Sequence, residues 1–254
     1  MPPGTVVWGF WPTSTVSTDL KLQATEPKGH WLEISAHRQV LANLYNRYNE
    51  IPNFPVSLSS LDPGNDELEL KAWSTLFRGV WEGAYLLNQH VFSPNAQTQP
   101  PIHPLGTGMS WTAADANLSS AIIVNLSASG KTARSFAYHV SRRPKSAGPL
   151  GLLQVTSSPS QISEATENLQ SPYPTRTISY SDISESVDWM ASLKPSKTII
   201  VDFGARGNTL DQLLSSIENH ATLQSSKPVI IQVGNQQKVP SPYPRFSASQ
   251  NTHH

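Results

Sequence analysis

The chain has 254 residues, 37% of them hydrophobic, enough for one large domain or a domain and a half around a packed core. Lys plus Arg and Asp plus Glu each number 18, so the formal net charge is zero and no basic face is expected to hold a nucleic-acid backbone. Cysteine is absent, which excludes disulfides, thiolate catalysis and Cys-ligated zinc.

The opening "MPPGTVVWGFWPTSTV" has neither the basic start nor the continuous apolar run of a secretion signal. No run of 18 apolar residues occurs, so no membrane partner is expected and a cytoplasmic location is. Residues 1–115 read as irregular, with Trp and Tyr clusters and two helices, around His37 to Tyr48 and Glu67 to Val91. "LDPGNDE" separates the helices, and "SPNAQTQPPIHPLGTG" follows the second as a loop and domain boundary.

From Ala121 onward short apolar runs alternate with helical stretches, the pattern of a parallel sheet covered by helices. The predicted strands are Ala121 to Leu126, Gly151 to Thr156, Arg176 to Tyr180, Thr198 to Phe203 and Pro228 to Gly234. Ala133, Phe136, Ala137 and Val140 recur at helical spacing and mark a buried face, and further helices fall near Gln161 to Leu169 and Thr209 to His220. The fold class is therefore α/β: a Rossmann-like parallel sheet over 116–238 with helices on both faces, an irregular or helical portion over 1–115, and a Pro- and Ser-rich tail over 239–254.

The turn after the first of these strands, "NLSASGKT", carries the strongest chemical signal. A helix that opens after a strand presents unpaired N–H groups and a partial positive charge, which favour a phosphate. Ser127, Ser129, Gly130 and Thr132 let the backbone approach such a group, and Lys131 adds a point charge. Only Gly130 is a glycine, so the dinucleotide fingerprint G-x-G-x-x-G is not met. "SGKT" also resembles the end of a P-loop, with Asp202 of "TIIVDF" as a magnesium-holding acid, but the first P-loop glycine would fall at Asn125 inside the strand. The turn reads equally as a plain helix cap in which Ser127 or Ser129 accepts a backbone N–H. The second strand ends "QVTSSPSQ" without the carboxylate that binds the ribose of NAD. Thr156, Ser157 and Ser158, with Lys131, Arg142 or Arg143 nearby, favour NADP if a dinucleotide binds.

Several segments together, "VVWGFWPTSTVSTDLKL", "HRQVLANLYNRY", "IIVNLSASGKTARSFAYHVSRR", "LLQVTSSPS" and "TIIVDFGARGN", resemble a family of fungal and bacterial proteins related to the medium-chain dehydrogenase/reductases, in the quinone-reductase-like branch. The resemblance implies a Rossmann domain with an NADP-type site: Ser127, Ser129, Gly130, Lys131 and Thr132 at the pyrophosphate, Ser157 and Tyr180 toward the adenosine, Gly204 and Gly234 beyond strand ends facing the cleft. It also implies that residues 1–115 are the remnant of a GroES-like catalytic domain lacking roughly its first 90 residues, and a setting in secondary metabolism.

Hydride transfer needs a held substrate and a proton donor, and Tyr45, Arg47, Tyr48 and His37, with Arg38, are the polar groups expected to supply them. On a helix, His37, Leu41, Leu44 and Tyr48 would share one face. Packing aromatics and a structural arginine are the competing reading. The histidines lack metal-ligand spacing, so no metal is expected, and no G-x-S-x-G elbow supports a hydrolase. The expected activity is NADP-dependent reduction of a small carbonyl or enone. A cofactor-free isomerase or cyclase for an apolar or polyketide-like substrate, with a pocket drawn from Trp8, Trp11, Tyr45 and Tyr48, is the second reading. A homodimer or partner-docking protein is the third.

Overall fold

A computed structural model of the chain describes residues 1–12, 14–41, 43–52, 66–106 and 108–234. Most of the "LDPGNDE" loop and the tail over 239–254, with His253 and His254, lie outside the described residues. The chain divides into two compact units, one from Met1 to Leu76 and one from Phe77 onward.

The first unit is built on four short strands, β1 (Val7–Gly9), β2 (Leu22–Thr25), β3 (His30–Glu33) and β4 (Arg47–Glu50). They form an antiparallel sheet in the order β1-β4-β3-β2. Gly9 and Trp31 both pair with Tyr48, so these three share one face, and Tyr48 is fully buried there. A Cβ on Gly9 would stand 2.3 Å from the Tyr48 ring, so only glycine admits that ring against β1. Between β3 and β4 the expected helix over His37 to Tyr48 is replaced by two 3-10 turns, Ala36–Arg38 and Asn43–Asn46, and by β4 itself. Cross-strand pairing on both sides of β4 overrides the helical spacing of His37, Leu41, Leu44 and Tyr48.

Helix α1 (Asp66–Leu86) ends in a π-turn, Leu87–Val91, close to the expected Glu67 to Val91. Beyond it lie α2 (Ala113–Ala116), β5 (Ala121–Leu126), α3 (Lys131–Ser141), β6 (Gly151–Thr156), α4 (Pro159–Glu167), β7 (Thr175–Ser179), α5 (Ser186–Ser192), β8 (Lys197–Phe203), α6 (Thr209–Glu218) and β9 (Lys227–Gly234). The five strands form a parallel sheet in the order β7-β6-β5-β8-β9. β5 and β6 are buried along their whole length because both faces are covered. On one face Ala121, Ile123, Leu152 and Val201 pack against Phe136, Ala137 and Val140 of α3. α4 joins that face through Gln154, whose amide donates to Thr166 Oγ1. On the other, Ile122, Val124, Leu126 and Val155 meet Val187 and Met190 of α5 and Leu213 and Ile217 of α6. This is the doubly wound α/β arrangement, and its strand order reverses between β5 and β8, where such sheets open a crevice at their C-terminal edge. Among the described residues no helix is long and apolar enough to cross a membrane.

Candidate functional site

The crevice begins where β5 ends. Ser127 follows Leu126 with φ 61°, a left-handed conformation uncommon for a residue bearing a side chain. The turn is closed by Ala128 N donating to Val155 O at 2.9 Å and Gly130 N donating to Ser127 O at 2.9 Å, and α3 then starts at Lys131. Neither Ser127 nor Ser129 caps that helix: Gly130 stands at the N-cap and no side chain accepts from the first turn. The plain-cap reading of the serines is therefore corrected.

The Ser127 side chain is committed elsewhere. Its Oγ lies 2.7 Å from Gly204 O and 3.0 Å from the Tyr180 hydroxyl. A carbonyl only accepts, so the single Ser127 proton goes to Gly204 and Tyr180 donates its own to Ser127. Three residues expected at the cofactor site are thus joined in one relay across the loops after β5, β7 and β8. A serine on a strained strand-to-helix turn has the placement of a nucleophile, but this one gives its proton to a carbonyl, and among the described residues no His, Asp or Glu hydrogen-bonds to it.

Gly204, at φ 114°, uses the freedom of glycine to turn the chain out of β8. Asp202 fixes the turn, its Oδ1 accepting from Gly204 N at 2.8 Å and Ala205 N at 2.7 Å. The P-loop reading is overturned at two points. Asn125 is fully buried inside β5 and hydrogen-bonded to Ala133 O, so no wide phosphate loop forms there, and one oxygen of Asp202 is spent on its own loop.

Of the remaining residues at this edge, Ser129, Gly130 and Lys131 are exposed and Thr132 is half-buried. Ser157 is exposed at the end of β6, whereas Thr156 is buried and accepts from Ser158 N at 3.2 Å. Gly234 pairs with Phe203 beyond a register shift, and a Cβ on it would stand 2.9 Å from Phe203 O, so its role is close strand packing. The proposed basic partners of a 2'-phosphate separate. Arg142 and Arg143 follow α3 at its far end, about 16 Å from the turn at 1.5 Å per residue. Arg142 stacks over the Tyr138 ring at 5.2 Å, and Arg143 is buried, donating to Asn88, Phe92 and Ala147. Of these three, Lys131 alone stands at the N-terminal end of α3.

In the first unit the four expected catalytic residues do not form one cluster. Tyr48 is buried with its hydroxyl donating to Phe10 O at 3.2 Å and its ring edge-on to Trp11 at 5.2 Å. Burial pushes its phenol above the usual value. Arg47 precedes it on the strand and points to the opposite face, exposed. Tyr45 is exposed and packs edge-on against Phe10 at 5.1 Å, and His37 is exposed. Arg38 donates to Asn46 and to the carbonyls of Phe10 and Tyr45, which makes it an anchor of the two turns. Of the proposed pocket tryptophans, Trp11 is exposed and Trp8 donates its indole N–H to Thr75 O at 2.8 Å. No group of three His, Asp or Glu side chains able to hold a metal occurs among the described residues.

The turn-fixing role of Asp202 and the tie from Asn125 in β5 to Ala133 in α3 were not expected from the sequence. An acid two residues before a glycine, as in "DFG", does carry the signal of a side chain accepting from the following backbone.

Strand order and the helices on both faces define a doubly wound α/β protein. A family model described as "Protein of unknown function (DUF2855)" matches residues 1–253, and the chain belongs to that family. No curated protein and no solved structure gives a match.

Proposed function

We propose that the C-terminal edge of the parallel sheet binds NADP(H) and that the protein is a reductase-like enzyme for a small carbonyl or enone. One observation carries the reading: Ser127, at φ 61°, holds the position after the first strand where a dinucleotide fingerprint places its first glycine, at the point where the strand order reverses. The uncapped N-terminus of α3, with Lys131 exposed beside it, supplies the donors and the charge that a pyrophosphate needs. Without a carboxylate at the end of β6, the adenosine ribose meets the exposed Ser157, which favours a phosphorylated ribose over a free one.

The test is a calorimetric titration of NADPH, with NADH and ATP as controls, into the protein and into Lys131→Ala. Micromolar NADPH binding that weakens at least about tenfold in the variant, about 1.4 kcal/mol, supports the reading. Absence of binding by all three nucleotides overturns it. A second reading, a cofactor-free isomerase or cyclase for an apolar substrate, is favoured by the withdrawal of Arg142 and Arg143 to the far end of α3. It predicts that none of the nucleotides binds.

A further inference from the structure

β5 and β7 are not neighbours, because β6 lies between them. Adjacent strands stand about 4.8 Å apart, so Tyr180, which follows β7, spans the C-terminal end of β6 to reach Ser127 after β5. Its ring packs against the core on the α5 and α6 side, and its hydroxyl bond continues through Ser127 Oγ to Gly204 O after β8. One phenol and one hydroxyl thus tie three loops together across the crevice, over the strand end from which Ser157 leads.

We propose that the Tyr180–Ser127–Gly204 relay is a latch that sets access to the crevice, and that Tyr180 is the residue that decides whether a ligand bearing a ribose phosphate can lie over the end of β6. The inference rests on the dinucleotide reading for its ligand, while the latch itself is a property of the free protein. In the latched state the tyrosine occupies the path an adenosine takes from Ser157 toward the turn at Ser127. Binding requires the relay to open, so the apparent affinity is the intrinsic affinity reduced by the fraction of molecules that are open.

Two substitutions break the relay from opposite ends. Tyr180→Phe keeps the ring and removes the donor, and Ser127→Gly removes the hydroxyl while accepting the left-handed backbone. Each is expected to tighten NADPH binding by about threefold to tenfold, the range set by one neutral hydrogen bond. The double variant is expected to gain no more than either single one, since a latch opens only once. Hydrogen exchange of the free protein gives the independent readout: both variants should exchange faster over residues 179–183, where Tyr180 loses its tie to Ser127, and Ser127→Gly should also exchange faster over residues 203–208, where Gly204 loses its donor.

Unchanged exchange in either variant overturns the latch whether or not a nucleotide binds. If NADPH binds the parent protein, weaker or unchanged binding in both variants, or gains that add in the double variant, also overturns it. If no nucleotide binds any of the proteins, the dinucleotide reading fails, and faster exchange in both variants still upholds the tie.

Discussion

Arg38 and Asn46 hold each other from both sides: Arg38 Nε donates to Asn46 Oδ1 at 3.1 Å, and Asn46 Nδ2 donates to Arg38 O at 3.0 Å. The same guanidinium reaches Phe10 O at 2.9 Å and Tyr45 O at 2.5 Å, so one side chain fixes both 3-10 turns and the end of β1. Both residues are buried, which makes every lost bond costly. Arg38→Lys is expected to destabilise the protein by about 2–4 kcal/mol, because a single ammonium cannot serve acceptors that lie in a planar fork. Chemical denaturation monitored by tryptophan fluorescence checks it, and a loss below about 0.5 kcal/mol would show the clamp to be dispensable.

Arg143 does the equivalent service at the π-turn. It donates to Asn88 Oδ1 at 2.7 Å, to Ala147 O at 2.9 Å and to the carbonyls of Asn88 and Phe92. Burial lowers its guanidinium to about 10, still charged at neutral pH. Arg143→Met should cost about 3–5 kcal/mol, since the carbonyls it serves are left buried without a donor. The same variant should leave any NADPH affinity unchanged, which separates an anchor from a phosphate ligand.

His139 sits on α3 among Trp81, Tyr85 and Tyr138, with ring centroids 4.6, 5.6 and 5.5 Å away. Burial holds its imidazole below the usual value of 6.5. The unfolded chain therefore takes up the proton first: stability from the neutral ring is present above 6.5 and is lost as the pH falls through the lower folded value. Unfolding free energies at pH 7.5 and 5.5 should differ less in His139→Phe than in the parent. Equal pH dependence in the two proteins would remove His139 from the account.

Gly9 and Tyr48 give a paired prediction. Gly9→Ala drives a methyl group into the Tyr48 ring and should cost about 1–3 kcal/mol by overpacking. Tyr48→Phe should cost less than about 1 kcal/mol, because Phe10 O retains the Arg38 donor when the phenol is removed. If Tyr48→Phe abolished activity while leaving stability intact, the buried tyrosine would be chemically engaged as well as packed.

The second half of the chain was legible because its central strands β5, β6 and β8 are mostly apolar and almost wholly buried. The runs at Ala121 to Leu126 and Gly151 to Thr156 match the observed strands residue for residue, those at Thr198 and Pro228 begin one residue late, and Arg176 to Tyr180 is shifted by one residue at both ends. The first unit was not, since strands of three or four residues are too short to display an alternation. β4 was hidden further because its partners on β1 and β3 lie far off in the chain. At the site, small residues and a lysine marked the turn after β5. What the spacing did not reveal was that Ser127, Tyr180 and Gly204 meet, since they are 53 and 77 residues apart.

The central position of β5 has a consequence for synthesis. Its two flanks are filled by β6, made soon after it, and by β8, whose Lys197 pairs with Ala121 only after the intervening chain has left the ribosome. Until then one edge of a strand that is apolar but for Asn125 faces water, with unpaired amides that invite a wrong strand. The nascent chain is therefore most exposed to aggregation between the emergence of β5 and that of β8. A chain cut short before Lys197 should demand chaperones or precipitate, whereas one extending past Phe203 can close its own sheet around the middle strand.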